Sequence, residues 1–423
     1  MGVIEGLLQA VPLPRMVEVS QHFDRPRIED PAAELGRALR EKAYFSSLAP
    51  GASVAIAVGS RGIANLQPMV KKVVDELRRA GARPFIVPAM GSHAGASNEG
   101  QRAMLEGLGI SEASVGAELR SSMEVRQLGV SPLGLPVCMD AQAASADGLV
   151  IINRIKPHVC YRGPYESGIM KMIAIGLGKQ AGADFCHRLG FGKMAEHIPD
   201  IGRTAISKVN ILCAIGILEN AYHETARVAT LKGSEISDAE PLLLEEAKAL
   251  SSRLYFDRLD VLIIDEIGKD ISGAGFDTNV VGRYHSPVIS GGPKISRLGI
   301  LDISRHSNGN GNGLGMADFI CKRARDKFDG EQTYPNTLTA TLTGAVKMPM
   351  TLANDRLVIQ ACVKVAGLAD MSTARVVRIR NTLSLDRIEV SESLLEETSR
   401  HPRMRIEGNP HEFPFDAAGN LIP

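Results

Sequence analysis

The sequence predicts an α/β fold of two domains with mainly parallel sheets. Short apolar runs of strand length alternate with stretches whose apolar residues recur every three or four positions, and polar turns bearing glycine follow several of the strand-type runs. A length of 423 residues suits two or three domains, and 44% hydrophobic against 23% charged residues is enough apolar material for ordinary cores.

Residues 53–58, SVAIAV, read as a buried strand that ends in Gly59-Ser60-Arg61-Gly62. In LQPMVKKVVDELRRAGA, Met69, Val70, Val73, Val74 and Leu77 fall on one helical face, and Gly81 is a natural stop. PFIVPA is the next strand, leading into Met90-Gly91-Ser92-His93-Ala94-Gly95, and a helix is expected from Asn98 to Leu108. ADGLVIINRI is a further buried strand, SGIMKMIAIGLG a helix, VNILCAIGIL a strand, and Asp238 to Arg253 an amphipathic helix. After the strand LDVLIIDEIG, glycine and asparagine become frequent, as in Ser272–Gly275 and SNGNGNGLG at 307–315. That Asn/Gly stretch is expected to be a flexible loop or a mobile lid. TLTATLTGAVKMPM and RLVIQACVKV continue the β and α pattern, and SESLLEETSRH reads as a last helix. A boundary near Tyr255–Leu259 divides the chain into expected domains of residues 1–255 and 256–423.

Bulk properties exclude several function classes. A net charge of zero and a pI near 7.2 argue against broad electrostatic binding to nucleic acid or anionic membrane. With no Trp and 4% aromatic residues, base-stacking platforms are not expected. No apolar run reaches the roughly 18–20 residues that span a bilayer. The N-terminal stretch lacks the basic start and small-residue cleavage site of a secretory signal, and six scattered cysteines without a CxxC fit a reducing compartment. A cytoplasmic protein is the expectation.

Ligands of open parallel sheets collect beyond the carboxyl ends of the strands. Three such ends carry polar turns: GSRG at 59–62, GSHAGA at 91–96 and NRIKPH at 153–158. If their strands are neighbours, Arg61, His93 and His158 surround one crevice. Two histidines there suit acid–base work, because an unperturbed imidazole titrates near 6.5. Taken singly, Arg61 is as readily a solvated surface arginine, and a lone histidine after a strand is more often structural. Lys171 lies inside an apolar run, where it must snorkel to solvent, find a partner, or act. GLGK at 176–179 reads as a helix C-terminal glycine cap and lacks Walker spacing. His158 and His187 together could hold a metal, although their spacing fits no standard zinc motif. Lys269, just past a strand in DEIGKDISGAG, marks either a ligand-facing edge or a solvated turn.

Taken together, GSRGIAN, VPAMGSHAGASNEGQ, NRIKPHVCYRG, ESGIMKMIAIGLGK and His187 resemble the nickel-pincer nucleotide-dependent lactate racemase family. The resemblance is strongest from about Val54 to His187 and weaker through the second domain. It implies two α/β domains with an interdomain active-site cleft. It also implies nickel held in a Ni(II)-pyridinium-3,5-bisthiocarboxylic acid mononucleotide, supplied by cofactor-synthesis proteins. By the same resemblance Lys171 carries that nucleotide covalently, His187 ligates nickel, and His93 and His158 are the proton-shuttling catalytic pair. Ser60, Arg61 and Lys269 would contact the cofactor, and Arg61 and Lys269 the substrate acid. The implied activity is racemisation or epimerisation of a 2-hydroxy acid, an isomerase acting on a small molecule with no nucleic-acid or membrane partner. Three departures point away from lactate itself: Val58 stands where those enzymes tend to have an acid, the segment from His158 to Lys171 is slightly longer, and the second domain shares little sequence with theirs. Two alternatives stay open: a metal-dependent hydrolase with His93, His158 and His187 as ligands, and a non-catalytic nucleotide- or small-acid-binding protein.

Overall fold

The computed structural model describes residues 2–188 and 190–422, apart from the side chains of residues 336 and 339. The chain forms two compact α/β units, one of residues 24–251 and one made of the residues up to Phe23 together with 252–423.

In the first unit, six strands lie in the order Glu118–Leu119, Arg83–Pro88, Ser53–Val58, Gly148–Arg154, Ile211–Glu219, Thr225–Leu231. All neighbours are parallel except the last pair. Val54, Ala55, Ile56, Ala57 and Val58 are all fully buried, as expected of a central parallel strand covered on both faces. The helix Leu66–Arg79 packs Met69, Val70, Val73, Val74 and Leu77 against that sheet, in a core shared with Ile86, Val150 and Ile215. Each such aliphatic side chain contributes roughly 1.5–3 kcal/mol through burial. The helix stops where expected, with Gly81 in the left-handed region at φ +79°.

The second unit holds an eight-stranded sheet. Met350–Leu352, Phe319–Cys321, Lys294–Ile303, Arg258–Ile267 and Val376–Ile379 run parallel; Arg387–Ser391, Met16–Gln21 and Met404–Ile406 complete it in antiparallel fashion. This corrects the expected domain of residues 1–255. Met16–Gln21 pairs with strands almost four hundred residues away, and Met16, Val17 and Val19 are buried in that sheet. The division of the chain falls between residues 251 and 252.

The Asn/Gly stretch is also not a lid. Asn310 and Asn312 are buried; Asn312 Nδ2 donates to the Gly273 carbonyl at 3.0 Å, and Gly311 N–H donates to Thr333 Oγ1 at 3.0 Å. The backbone of residues 272–275 packs closely on it: a Cβ on Gly275, whose φ is +85°, would lie 1.8 Å from the Asn312 carbonyl oxygen. Among the described residues no helix is long and apolar enough to cross a membrane, and the six cysteines are buried and joined by no disulfide.

The packed loop makes a prediction. Gly275→Ala will destabilise its unit by about 3 kcal/mol or more, since it adds a clash to left-handed strain. Gly367→Ala has the same strain (φ +81°) but open space around the new methyl, and will cost about 1 kcal/mol. Urea unfolding of both variants measures the difference; equal losses would mean the Asn312 contact is not tight.

Candidate active site

The strand Ser53–Val58 sits between Arg83–Pro88 and Gly148–Arg154, all parallel, with Val58 beside both Pro88 and Ile152. The turns that carry Arg61, His93 and His158 therefore leave one edge of the sheet from adjacent strands, each about 4.8 Å from the next. Two of these turns also rest on the segment that bears Lys171. A Cβ on Gly59 would come 3.0 Å from Met172 Cε, and Gly91 N–H donates to the Gly176 carbonyl at 3.0 Å.

His93 is half-buried, and its Nδ1 lies 2.6 Å from Ser60 Oγ. Ser60 is thus tied to the imidazole of the neighbouring turn. Arg61 is exposed, while its neighbour Arg154 is paired with Glu219. The protein crowding its head group, and then the like charge of Arg154, lower the Arg61 pKa, but a guanidinium open to solvent stays charged.

His158 lies in a loop closed by a bridge between Lys156 and Ser167. Its Nδ1 accepts the Cys160 N–H at 3.0 Å, so the neutral ring carries its proton on Nε2. Its backbone N–H donates to Glu166 Oε2 at 2.7 Å, and the Tyr161 ring packs 4.4 Å from the imidazole. Burial, then the positive charges of Lys171, Lys156, His187 and Arg162, push the His158 pKa well below its ordinary value.

Lys171 does not sit in an unbroken helix. Ile169–Lys171 is α-helical, residues 172–176 form a π turn with Leu177 N–H bonded to the Met172 carbonyl at 2.8 Å, and Lys179–His187 is a second helix. A π turn widens the helix and often marks functional positions. The first turn is capped by Glu240, a buried carboxylate that accepts the Met170 N–H at 2.8 Å and also the Ile169 N–H; burial pushes its pKa up to about 7. Lys171 is half-buried. Burial foremost, aided by Arg61 and Lys156 and opposed by Cys160 and Cys186, lowers its pKa to about 8. An amine of this kind has a substantial neutral, nucleophilic fraction near neutral pH.

His187 ends the second helix. Its Nδ1 lies 2.7 Å from the Ala183 carbonyl oxygen and donates to it, which leaves the Nε2 lone pair for a ligand. Backbone locking of one imidazole nitrogen is the usual arrangement behind a metal-binding histidine. Burial first, and Lys171 among its neighbours, lower the His187 pKa, and Phe191 packs against both the His187 and His158 rings. Lys171 is thus electrostatically coupled to Arg61, His158 and His187.

GLGK is not a helix terminus but the break between the two helices, and its lysine is a functional residue that sequence reasoning missed. Lys179 is fully buried with φ +55°. Its Nζ donates to the Pro88 carbonyl at 2.6 Å and to Gln101 Oε1 at 3.2 Å, and lies 3.0 Å from Asp140 Oδ2. Gln101 in turn donates to the Gly91 carbonyl at 2.9 Å and the His93 carbonyl at 3.4 Å. One ammonium joins the His93 turn to the helix of His187. The signal for it was a lysine closing Gly176-Leu177-Gly178 in an apolar run, legible only once the chain is seen to continue as helix.

Lys269 belongs to the second unit. Its N–H donates to Ser307 Oγ at 3.0 Å, and its Nζ donates to the Gly273 carbonyl at 2.6 Å. Burial and then the Lys269 charge push the pKa of His285 down to about 4. The acids of DEIG are structural: Asp265 pairs with Arg378 and Glu266 with Arg380, both on or beside the neighbouring strand. Among the described residues, no three His, Cys, Asp or Glu side chains gather as a metal-holding group, which disfavours a site built from His93, His158 and His187 together.

Comparison with known proteins agrees with the resemblance seen in the sequence. Residues 8–197 match the family described as the lactate racemase N-terminal domain. Among solved structures, the lactate racemase apoprotein from Thermoanaerobacterium thermosaccharolyticum matches with a TM-score of 0.52 at 14% identity, over 88% of this chain and 99% of that one; at this identity the likeness speaks for the fold. No curated protein matches the chain.

Two predictions follow from the geometry. With its pKa lowered to about 8, Lys171 is mainly neutral above that pH, so its rate of acetylation in the folded chain will rise to half-maximum near pH 8. Peptide mass spectrometry reads this, and a midpoint near the ordinary value of about 10.4 would contradict it. Lys179→Met leaves Asp140 charged and buried without its partner, at a cost of about 3–5 kcal/mol. The double variant Lys179→Met, Asp140→Asn will recover part of that loss in chemical denaturation.

Proposed function

We propose that this chain, a divergent member of the lactate racemase family, is a racemase or epimerase that inverts C2 of a 2-hydroxy acid by proton-coupled hydride transfer. The observation that carries the proposal is the coupling of the depressed amine of Lys171 to His187, an imidazole whose Nε2 lone pair is left for a ligand.

The donor set fits the family's nickel-pincer nucleotide. The Lys171 amine would hold the nucleotide, and the His187 imidazole would be a suitable ligand for its nickel. A single protein histidine suffices when the nucleotide supplies the other donors, so the lack of a three-residue metal cluster among the described residues is compatible with this reading. When bound, the nucleotide supplies the acceptor that takes a hydride from C2 and returns it.

The chain's own groups supply the rest. Arg61, charged and open to solvent, binds the substrate carboxylate in two-pronged fashion. His93 accepts the hydroxyl proton as C2 becomes planar and returns it to the oxygen when the opposite face is reduced, while His158, with its proton on Nε2, donates a hydrogen bond to that oxygen. The low pKa of His158 keeps it a neutral Nε2–H donor, and the Ser60 contact fixes the ring of His93. Cations crowded around the site favour an anionic substrate and oppose protonation of His158. Ser60 is a further contact for the nucleotide. The enzyme would work in the cytoplasm, where cofactor-synthesis proteins load it.

The test is a panel of single-enantiomer 2-hydroxy acids in D₂O with enzyme from a nickel-supplied host that makes the cofactor. The expected result is inversion of at least one acid with its C2 hydrogen retained, slowed about 10²–10⁴-fold in His93→Asn and in His158→Asn. Inversion with solvent deuterium at C2 would replace hydride transfer by enolisation. Tight binding without inversion of any acid would leave a binding protein.

A further inference from the structure

We propose that Glu166 is a positioning residue for His158, holding the imidazole in the one tautomer that presents an N–H from Nε2 toward the site. The role given to His158 rests on the racemase reading; the positioning itself does not.

The loop 156–167 projects beyond the sheet edge, where an imidazole would ordinarily sample several rotamers. Glu166 removes that freedom. Its side chain is fully buried, and each oxygen is engaged. Oε2 accepts the His158 backbone N–H at 2.7 Å and lies 3.4 Å from Arg162 Nη1; Oε1 lies 3.1 Å from Lys248 Nζ. Lys248 comes from the helix Ile236–Leu250, the helix that also supplies Glu240 to cap the turn before Lys171. The carboxylate therefore ties the His158 loop to the helix that supports Lys171. Arg162 closes the loop from inside by donating to the His158 carbonyl at 2.8 Å, and Tyr161 OH donates to the Glu166 carbonyl. With the His158 backbone clamped on both its N–H and its C=O, the Cys160 N–H stays aimed at Nδ1. A donor fixed at Nδ1 excludes a proton there and sends it to Nε2.

A buried carboxylate is costly unless its charge is compensated, and here two cations and an amide N–H compensate it. The same loop could have been closed by apolar packing. A charge kept at this position is accounted for by what it holds, the backbone of a histidine at the site.

The experiment uses the full chain with ring-¹⁵N histidine and needs no cofactor. Long-range ¹H–¹⁵N spectra report the tautomer of each histidine, and His158 is identified by the signals lost in His158→Asn. Wild type will show His158 with protonated Nε2 and unprotonated Nδ1. Glu166→Ala will show averaged tautomers, while Glu166→Gln, which keeps an oxygen for the His158 N–H, will restore the wild-type pattern. A folded Glu166→Ala with an unchanged His158 tautomer overturns the proposal. Should Glu166→Ala fail to fold, Glu166→Asp decides, since one methylene fewer draws the carboxylate away from the amide: averaged tautomers support the proposal and an unchanged pattern overturns it. In the loaded enzyme Glu166→Ala will lower kcat at least tenfold with KM little changed. If the spectra behave as expected but no acid is racemised, the racemase reading fails and the positioning role stands.

Discussion

The ammonium of Lys179 sits where no water reaches, between the Asp140 carboxylate, the Pro88 carbonyl and the Gln101 amide oxygen. Burial lowers its pKa and the Asp140 charge resists that shift, so the charged form persists only because each donor has an acceptor. Three elements meet at this one nitrogen: the end of a central strand, the helix Asn98–Gly107 that holds the His93 turn through Gln101, and the helix that ends in His187. The placement of His93 relative to His187 is a consequence of that junction. A methionine of similar volume would fill the space but leave three acceptors, one of them charged, without a donor.

Around this anchor the site gathers like charges. Burial, and with it Arg61 and Lys156, lowers the proton affinity of Lys171; burial, then Lys171 and Lys156, lowers that of His158. Such crowding costs folding free energy and persists where function uses it. Glu166, Glu219 and Glu240 offset part of the cost by engaging the loop, Arg154 and the helix start respectively. Burial and the cations together favour neutral His158 and a partly neutral Lys171, and the cations suit an anionic ligand.

Much of this was legible in the sequence. Buried central strands such as SVAIAV and ADGLVIINRI announce themselves because both their faces are covered, so the apolar run is continuous. The three strand-end turns followed from that, and Arg61, His93 and His158 with them. Other features were not legible, for physical reasons. Met16–Gln21 pairs with residues 387–391 and 404–406, and no local pattern reports a partner so distant. The π turn at 172–176 leaves the apolar spacing of its run helical in appearance. Glu166 and Lys179 lay in view within ESGIMKMIAIGLGK, but a charged residue in a sequence looks the same whether solvated or clamped in the interior. The Asn/Gly stretch misled in the same way: small polar residues suit a mobile loop, and equally a place where backbones pack against one another.

The central claim is that the Lys171 amine and the His187 imidazole act on one bound group. Intact-mass and metal analysis of the full chain, purified from a nickel-supplied host that makes the pincer nucleotide, tests it directly. The account predicts an added mass that maps to Lys171 with nickel in equal amount. The mass would be lost in Lys171→Arg, and the nickel lost or weakened in His187→Ala. An unmodified chain from that host, or an adduct on a different lysine with His187 irrelevant to nickel, would contradict it.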